Sequence, residues 1–193
     1  MHKIAVFASG SGTNAENLVN YFADSDEIEV TKIYSNRADA FVHERAKNLG
    51  IPSDTFSRFH FKSEKFTDEL KAEGINCIVL AGFLWLIPET LINAFHPYII
   101  NIHPSLLPAF GGKGMYGSHV HEAVIASEAK ESGITIHLVN EKYDEGKHLF
   151  QARTAVTRED DADSLAKRIH ELEYEHFPRV IENYLLKRWQ NGV

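Results

Sequence analysis

The sequence predicts an α/β protein: a single domain with a mostly parallel, doubly wound, Rossmann-like sheet and an antiparallel edge near its C-terminal end. Apolar strand patterns alternate with helical patterns through the first half of the chain. The strand predicted over residues 76–81 is continuously apolar from Cys77 onward, which is typical of a parallel strand covered on both faces. Since no repeat or linker interrupts the 193 residues, we expect one domain over 1–193.

Strand and helix patterns alternate up to residue 102. The strand patterns cover residues 3–8, 29–35, 51–56, 76–81 and 98–102. The helix patterns lie between them and cover residues 14–24, 39–48, 63–73 and 88–94. Gly50 and Gly74 follow the second and third helices, where glycine commonly ends a helix, and Pro88 opens the fourth. This order predicts crossover connections between parallel strands.

The pattern changes in the second half of the chain. A four-glycine loop, a helix and two strands are predicted over residues 107–117, 118–126, 133–140 and 148–157. A short connection joins the two strands, which predicts an antiparallel pair at one edge of the sheet. A long helix pattern covers residues 163–187, and Pro178 can break it because proline removes a helical hydrogen bond.

The composition limits the classes of function. With 44% apolar and 24% charged residues, the chain can build one ordinary core. A net charge of −7 argues against nucleic-acid binding. No apolar run approaches the roughly 20 residues of a membrane span, and the N-terminus lacks a signal-peptide pattern. The single cysteine, Cys77, cannot form an internal disulfide. We therefore expect a cytoplasmic protein that binds neither nucleic acid nor membrane.

The run Asn-Ile-His-Pro-Ser-Leu-Leu-Pro at residues 101–108 carries the strongest chemical signal. If the strand before it is extended, Asn101 and His103 point to the same side. An amide donor beside a titratable ring can polarise a carbonyl and move a proton. The two prolines restrict the backbone behind the pair. The alternative is a strand end that merely carries polar residues.

Residues 9–14 read Ser-Gly-Ser-Gly-Thr-Asn and form a turn between the first predicted strand and helix. The backbone N–H groups of such a turn suit a phosphate. The spacing Gly-x-Gly-x-x-Ala also fits a loose dinucleotide fingerprint, but the second strand ends in Ser-Asn-Arg instead of an acid. NAD is therefore disfavoured, while Arg37 leaves NADP open. A turn that needs glycine only for its backbone is the remaining alternative.

Three stretches, at residues 9–14, 81–85 and 101–108, fall at the carboxyl ends of predicted strands. Ligands of doubly wound sheets bind beyond these ends, so we expect one shared site. Asp144 lies shortly before a glycine, which is typical of a turn residue. Close to His103, its carboxylate would instead favour the protonated imidazole.

The histidines do not form a metal-binding pattern. His119 and His121 could join His103 in a cluster, but the chain has no His-x-x-x-His with a nearby acid and no set of cysteines. We therefore expect no metal. The acidic run at residues 159–163 is most simply a solvated helix start, where negative charge suits the helix dipole.

Together these motifs resemble the phosphoribosylglycinamide formyltransferases, a family of formyl-folate enzymes. The resemblance runs from Ile4 to about Tyr184. It is carried by the motifs at residues 10–14, 80–83, 101–108, 132–137 and 143–146. It implies a single formyltransferase domain that moves a formyl group from 10-formyltetrahydrofolate to the amine of glycinamide ribonucleotide in purine biosynthesis. It also implies that no metal is needed and that the protein is a monomer or a homodimer.

The resemblance assigns roles to particular residues. The implied catalytic set is Asn101, His103 and Asp144. The implied ribonucleotide set is Gly12, Thr13, Asn14, His170, Glu171, Leu172 and Glu173. The implied folate set is Leu84, Trp85, Leu86, Ile87, Asn101, Asn140, Glu141, Lys142, Tyr143 and Asp144. A cis peptide bond before Pro108 is implied as well.

These roles fit the chemistry of formyl transfer. Attack of an amine on the formyl carbon places negative charge on oxygen, which a protonated His103 and the Asn101 amide can stabilise. Asp144 would keep the ring protonated near neutral pH. His103 or a bound water could then carry the proton to the departing folate nitrogen.

The sequence also departs from the family pattern. Trp85 stands where the family often has a basic residue, and an arginine that commonly meets the folate has no clear match. Lys62 or Lys65 could substitute for it as a point charge. Two other functions stay open: a formyltetrahydrofolate deformylase, which gives the formyl group to water, and an NADP-dependent reductase built on the glycine turn.

Overall fold

The structure, a computed structural model, describes residues 1–187. Its strands are β1 His2–Phe7, β2 Ile28–Ser35, β3 Ser53–Thr55, β4 Cys77–Leu80, β5 Ile99–His103, β6 Glu131–Leu138 and β7 His148–Ala155. Its helices are α1 Thr13–Tyr21, α2 Val42–Leu49, α3 Arg58–Phe61, α4 Glu64–Ala72, α5 Glu89–Phe95, α6 Ser118–Ala126 and α7 Ala162–Leu185. The expected domain over 1–193 stays a prediction, since its last residues, 188–193, lie outside the described residues.

The strands form one sheet in the order β3-β2-β1-β4-β5-β6-β7. The first five strands along the chain pair in parallel. β6 is antiparallel to both β5 and β7. The structure therefore confirms a mostly parallel sheet with an antiparallel edge. The strand order reverses direction between β1 and β4, which is where doubly wound sheets open a crevice for ligands.

Alternate residues of β1 serve the two faces of the sheet. Ile4 and Val6 belong to one core, which α1, α2, α6 and α7 cover. Ala5 and Phe7 belong to a second core on the other face, which α3, α4 and α5 cover. Because apolar neighbours cover both faces, β1 needs no polar side. This explains why residues 4–8 are all apolar.

The short helix α3 was not predicted. Its N-cap is Ser57, whose hydroxyl accepts the backbone N–H of His60 at 3.1 Å. Four residues are too few to show a helical period, so the sequence pattern could not separate this helix from a loop. The strand before it, β3, is also shorter than the predicted range of 51–56.

Pro178 does not break α7, which is continuous across it. Proline has no N–H to donate to the carbonyl of Tyr174, four residues earlier. The side-chain amide of Asn17, on α1, donates to that carbonyl at 3.0 Å. The hydrogen bond that proline removes is thus replaced from a neighbouring helix, which local sequence could not reveal.

Candidate active site

A cleft of about 620 Å³ lies beyond the carboxyl ends of β1, β4 and β5. The strand order explains its position, because the crossover connections leave β1 and β4 towards opposite faces of the sheet. Residues that line it include 9–14, 81–84, 101–104, 112–117, Arg37, His121, Tyr143, Asp144, His170 and Glu173. Residues from all three stretches that the sequence places at strand ends therefore meet in one cleft.

β5 carries Asn101 and His103 to the cleft, on the same side of the strand. Antiparallel pairing places His137 of β6 opposite Asn101. The Nδ1 atom of His137 donates to the carbonyl of Leu138 at 2.8 Å, which leaves its Nε2 as an acceptor. The amide nitrogen of Asn101 donates to that Nε2 at 3.0 Å. His137 therefore orients the Asn101 amide.

Sequence reasoning gave no role to His137, although it ends one of the motifs quoted above. The available signal was its position on a strand predicted at the sheet edge. The missing information was the register, since only the register decides which residue of β5 faces His137.

His103 is 4% exposed. Its Nε2 donates to the carbonyl of Phe110 at 2.8 Å, and its Nδ1 lies 3.6 Å from Oδ2 of Asp144. The two side chains therefore lie within the distance of a charge pair. Burial lowers the pKa of His103 below its ordinary value, and the Asp144 carboxylate and the Phe110 carbonyl offset only part of this effect. The expectation that Asp144 holds the ring protonated near neutral pH is thus wrong for this structure, because desolvation outweighs the attraction.

Asp144 reaches the cleft from the connection between β6 and β7. Its Oδ2 accepts the backbone N–H of Gly112 at 2.8 Å, and its Oδ1 lies 3.7 Å from Nε2 of His137. Burial acts to raise the pKa of Asp144, but the interactions with His137, His103 and the Gly112 N–H together lower it. The carboxylate is therefore ionised at neutral pH, between two imidazole rings.

The backbone around this carboxylate is tightly constrained. Phe110 and Asp144 have φ angles of 54° and 57°, a left-handed conformation that costs a non-glycine residue roughly 1–2 kcal/mol. A Cβ on Gly111 would lie 2.4 Å from Cδ2 of Leu107 and 3.4 Å from Cβ of Asp144. Glycine at this position therefore allows the two loops to approach each other.

Thr135 holds the turn that follows His103. Its hydroxyl donates to the carbonyl of Ser105 at 2.7 Å and accepts the N–H of Leu107 at 2.9 Å. Gln151 of β7 donates to the Leu107 carbonyl at 3.0 Å. The peptide bond between Leu107 and Pro108 is cis, as the family resemblance implied. The antiparallel strands therefore fix the backbone behind His103.

Gly12 ends the glycine turn and precedes α1. Its φ angle is 75°, and a Cβ there would lie 2.3 Å from Cγ2 of Val42, so both conformation and space require glycine. Gly12 is the N-cap of α1 and has no side chain that could cap the helix. The first backbone N–H groups of the helix are therefore available to an anion.

Ser9 connects the glycine turn to two other strand ends. Its hydroxyl donates to Oδ1 of Asn36 at 2.6 Å, just after β2. The same hydroxyl accepts the backbone N–H of Leu84 at 3.0 Å, after β4. The turn and the Leu84 wall of the cleft therefore have a fixed relative position.

Glu173 is 6% exposed and belongs to the same end of the cleft as the glycine turn. It accepts a hydrogen bond from the amide nitrogen of Asn14 at 2.8 Å. Burial raises the pKa of Glu173 to about 7, and this hydrogen bond offsets only part of the effect. Within residues 1–187, Oδ1 of Asn14 and Nδ1 of His121 are buried without a hydrogen-bond partner. Unpaired buried polar atoms beside a cleft are typical of a ligand-binding wall.

The structure brings together most of the implied ribonucleotide set. Gly12, Thr13, Asn14, His170 and Glu173 line the cleft. His170 and Glu173 are three positions apart and share one face of α7. Glu171 is exposed and Leu172 packs against the apolar core, so these two residues lie on other faces of the helix.

Fewer than half of the residues of the implied folate set line the cleft. Leu84, Asn101, Tyr143 and Asp144 line the cleft. The others do not: Trp85 packs among Phe56, Phe61 and Phe83, Ile87 is buried in the second core, Leu86 is exposed, and Asn140, Glu141 and Lys142 lie in the β6–β7 connection. A continuous range of residues cannot all face one ligand, because neighbouring side chains point in different directions.

A cation that sequence reasoning missed lies beside Trp85. The guanidinium of Arg58 is 5.2 Å from the centre of the indole ring, within the range of a cation–π contact. Of the two lysines considered as substitutes for an arginine, Lys65 instead lies 3.7 Å from the Glu69 carboxylate. Arg58 was missed because this residue begins α3, the helix that was not predicted.

Two further features concern the described part of the chain as a whole. No helix within residues 1–187 has the length and apolarity that a membrane crossing requires. The same residues include no group of three or more His, Cys, Asp or Glu side chains arranged to hold a metal ion.

Several known proteins have related sequences and folds. The formyl transferase family profile matches residues 2–181. The phosphoribosylglycinamide formyltransferase of Bacillus subtilis is 35% identical, over 96% of this chain and 95% of its own. Chloroplastic phosphoribosylglycinamide formyltransferases of Arabidopsis thaliana and Vigna unguiculata are 40% and 41% identical over 93% of this chain, which spans only 64% and 60% of their lengths.

A solved structure extends the similarity to three dimensions. Glycinamide ribonucleotide transformylase 1 from Symbiobacterium toebii superposes with a TM-score of 0.88 at 30% identity, covering 100% of this chain and 91% of its own. Since the family profile spans nearly the whole chain and the fold agrees, the chain belongs to the formyl transferase family.

Proposed function

We propose that this protein transfers the formyl group of 10-formyltetrahydrofolate to the amine of glycinamide ribonucleotide. The products are formylglycinamide ribonucleotide and tetrahydrofolate, in de novo purine biosynthesis. One observation carries the proposal: Asn101, His103 and Asp144 meet in a cleft that also contains an uncapped helix N-terminus. The named relatives support the same reaction.

The reaction forms a bond between the amine nitrogen and the formyl carbon and breaks the bond from that carbon to N10 of the folate. The amine loses a proton and N10 gains one. Negative charge develops on the formyl oxygen while both bonds exist. One N–H of the Asn101 amide is used by His137, and the second can donate to this oxygen.

His103 is suited to move the proton. Because burial lowers its pKa, the ring is neutral at physiological pH, with Nε2 donating to Phe110 and Nδ1 free of a proton. Nδ1 can therefore accept the proton of the attacking amine. The adjacent Asp144 carboxylate stabilises the imidazolium that forms, and the ring then returns the proton to the folate nitrogen.

The two ends of the cleft suit the two substrates. The ribonucleotide phosphate would bind the N–H groups of Gly12, Thr13 and Asn14, and the ribose side would face His170 and Glu173. The folate would lie against Leu84 and Tyr143, with Asp144 near its reacting end. Trp85, Leu86, Ile87 and residues 140–142, like Glu171 and Leu172, would support these walls from outside the cleft.

An assay with purified protein and 10-formyltetrahydrofolate tests this function, with and without glycinamide ribonucleotide. We expect tetrahydrofolate to form only when the ribonucleotide is present. Tetrahydrofolate that forms equally fast in its absence would show the deformylase instead. His103→Asn is the matched variant, and it should abolish the reaction without altering the fold.

The NADP-dependent reductase has less support. Arg37, the residue that left NADP open, is occupied by two hydrogen bonds to the carboxylate of Asp39, at 3.1 and 2.8 Å. We further infer a monomer or homodimer in the cytoplasm that does not bind nucleic acid. Size-exclusion chromatography and localisation of a tagged protein would test these points.

A further inference from the structure

We propose that Arg45 is a positioning residue for the glycine turn: through the carbonyl of Ser11 it directs the N–H of Gly12 towards the phosphate of the ribonucleotide. The inference rests on the proposed function, since it takes the turn to bind a phosphomonoester. Sequence reasoning gave Arg45 no role.

Three contacts fix the Arg45 side chain, which extends from α2. Its Nε donates to the carbonyl of Ser11 at 2.8 Å. Its Nη1 pairs with the carboxylate of Glu16. Its guanidinium also lies 5.1 Å from the centre of the Phe41 ring. The side chain is only 24% exposed, so solvent competes weakly for these contacts.

Peptide geometry converts the first contact into an orientation of the turn. In a trans peptide the C=O and the following N–H point in opposite directions. Arg45 draws the Ser11 carbonyl towards α2, so the Gly12 N–H points away from α2 and into the cleft that Gly12 lines.

The preceding peptide is held in the same manner. The backbone N–H of Val42, at the start of α2, donates to the carbonyl of Gly10 at 3.1 Å. The Ser11 N–H is therefore also turned away from α2. Successive N–H groups directed to one side form an anion-binding concavity, and here α2 imposes this arrangement from outside the cleft.

The second contact, between Arg45 and Glu16, changes the net charge beside the glycine turn. Glu16 lies in the first turn of α1, at the helix terminus that would hold the phosphate. An unpaired carboxylate there would repel a phosphate dianion and compete for the same end of the helix dipole. Arg45 neutralises Glu16, so its orientation effect and its charge effect favour the same ligand.

Only an arginine can serve both partners. Its fork presents several N–H groups in fixed directions, so it reaches the Ser11 carbonyl and the Glu16 carboxylate together. A lysine could pair with Glu16 through its point charge. It could not at the same time donate the hydrogen bond that Nε of Arg45 gives to the Ser11 carbonyl.

The test compares glycinamide ribonucleotide with its dephosphorylated riboside as formyl acceptors. The ratio of the two kcat/KM values measures what the phosphate contributes. In Arg45→Met this ratio should fall about tenfold or more, while kcat/KM for the riboside and KM for the folate stay within about twofold. Arg153→Met, which removes an exposed arginine that pairs with Glu131 on β6, should keep the wild-type ratio. A general loss of structure would lower both acceptors equally.

The two effects of Arg45 can be separated. Adding Glu16→Gln to Arg45→Met should restore only part of the ratio, because the charge is corrected but the peptide is not. Complete restoration would overturn the orientation argument. If Arg45→Met does not fold, Arg45→Lys serves instead, and a wild-type ratio in that folded variant would overturn the proposal.

The outcomes also distinguish this inference from the proposed function. If the wild-type enzyme used the riboside as well as the ribonucleotide, the phosphate would not bind at the turn, and the function assigned to the turn would fail. If the wild type strongly prefers the ribonucleotide and folded Arg45→Met keeps the same preference, only the role of Arg45 is refuted.

Discussion

Replacing Glu173 by glutamine should stabilise this protein above neutral pH. Glu173 is buried on α7 and accepts one hydrogen bond from Asn14. The amide oxygen of glutamine can accept the same bond, so the substitution changes the charge and little of the shape. At alkaline pH the native carboxylate ionises in a buried place, whereas glutamine stays neutral.

The expected magnitude follows from the pKa of Glu173. Burial raises this pKa to about 7, from an ordinary value of 4.5. Such a difference corresponds to about 3 kcal/mol. Between these two values the native protein holds a proton that the unfolded chain has released, so wild-type stability falls as pH rises and levels off above pH 7. The free energy of unfolding of Glu173→Gln should therefore match the wild type near pH 4.5 and exceed it by up to about 3 kcal/mol at pH 8.

Urea unfolding at several pH values from about 4.5 to 8, followed by circular dichroism, measures this difference. Glu171→Gln, on an exposed position of the same helix, is the matched control and should follow the wild-type pH dependence. A stability difference that does not change with pH would refute the reasoning. So would a Glu173→Gln variant that is less stable than the wild type at pH 8.

Asp144→Asn should lower kcat by about 100-fold or more, because the imidazolium of His103 loses its stabilising carboxylate, and it should lower the pKa of His103 further. The ribonucleotide KM should change little, and near-normal kcat with an unchanged pH–rate profile would show that the two residues are not coupled. Gly12→Val should raise KM for the ribonucleotide, since the new Cβ meets Val42 and the φ angle of 75° is unfavourable for valine. Steady-state kinetics in which only the folate KM rises would place the two substrates at the wrong ends of the cleft.

The fold was predictable where the sequence pattern is local. The continuous apolar run at residues 77–81 indicates a covered parallel strand, and β4 lies there in the middle of the sheet. Two features were not predictable because they depend on distant or very short segments. α3 has only four residues, and the continuity of α7 at Pro178 depends on Asn17 of α1.

The site was predictable where it depends on strand ends, but not where it depends on strand register or on burial. Strand ends correctly indicated where Asn101 and His103 lie, since parallel strands present their carboxyl ends to one crevice. His137 was missed because its partner depends on strand register. The protonation of His103 was misjudged because the sequence indicates a nearby charge but not the depth of burial, and here burial has the larger effect.

The hydrogen bond between Asn14 and Glu173 joins residues 159 positions apart in the chain. At roughly 5–20 residues per second, a ribosome adds the second partner on the order of ten seconds after the first. Strands β2 to β7 are made in this interval, while the face of α1 that α7 later covers stays open to solvent. The end of the cleft that we propose for the ribonucleotide is therefore complete only when α7 has been synthesised.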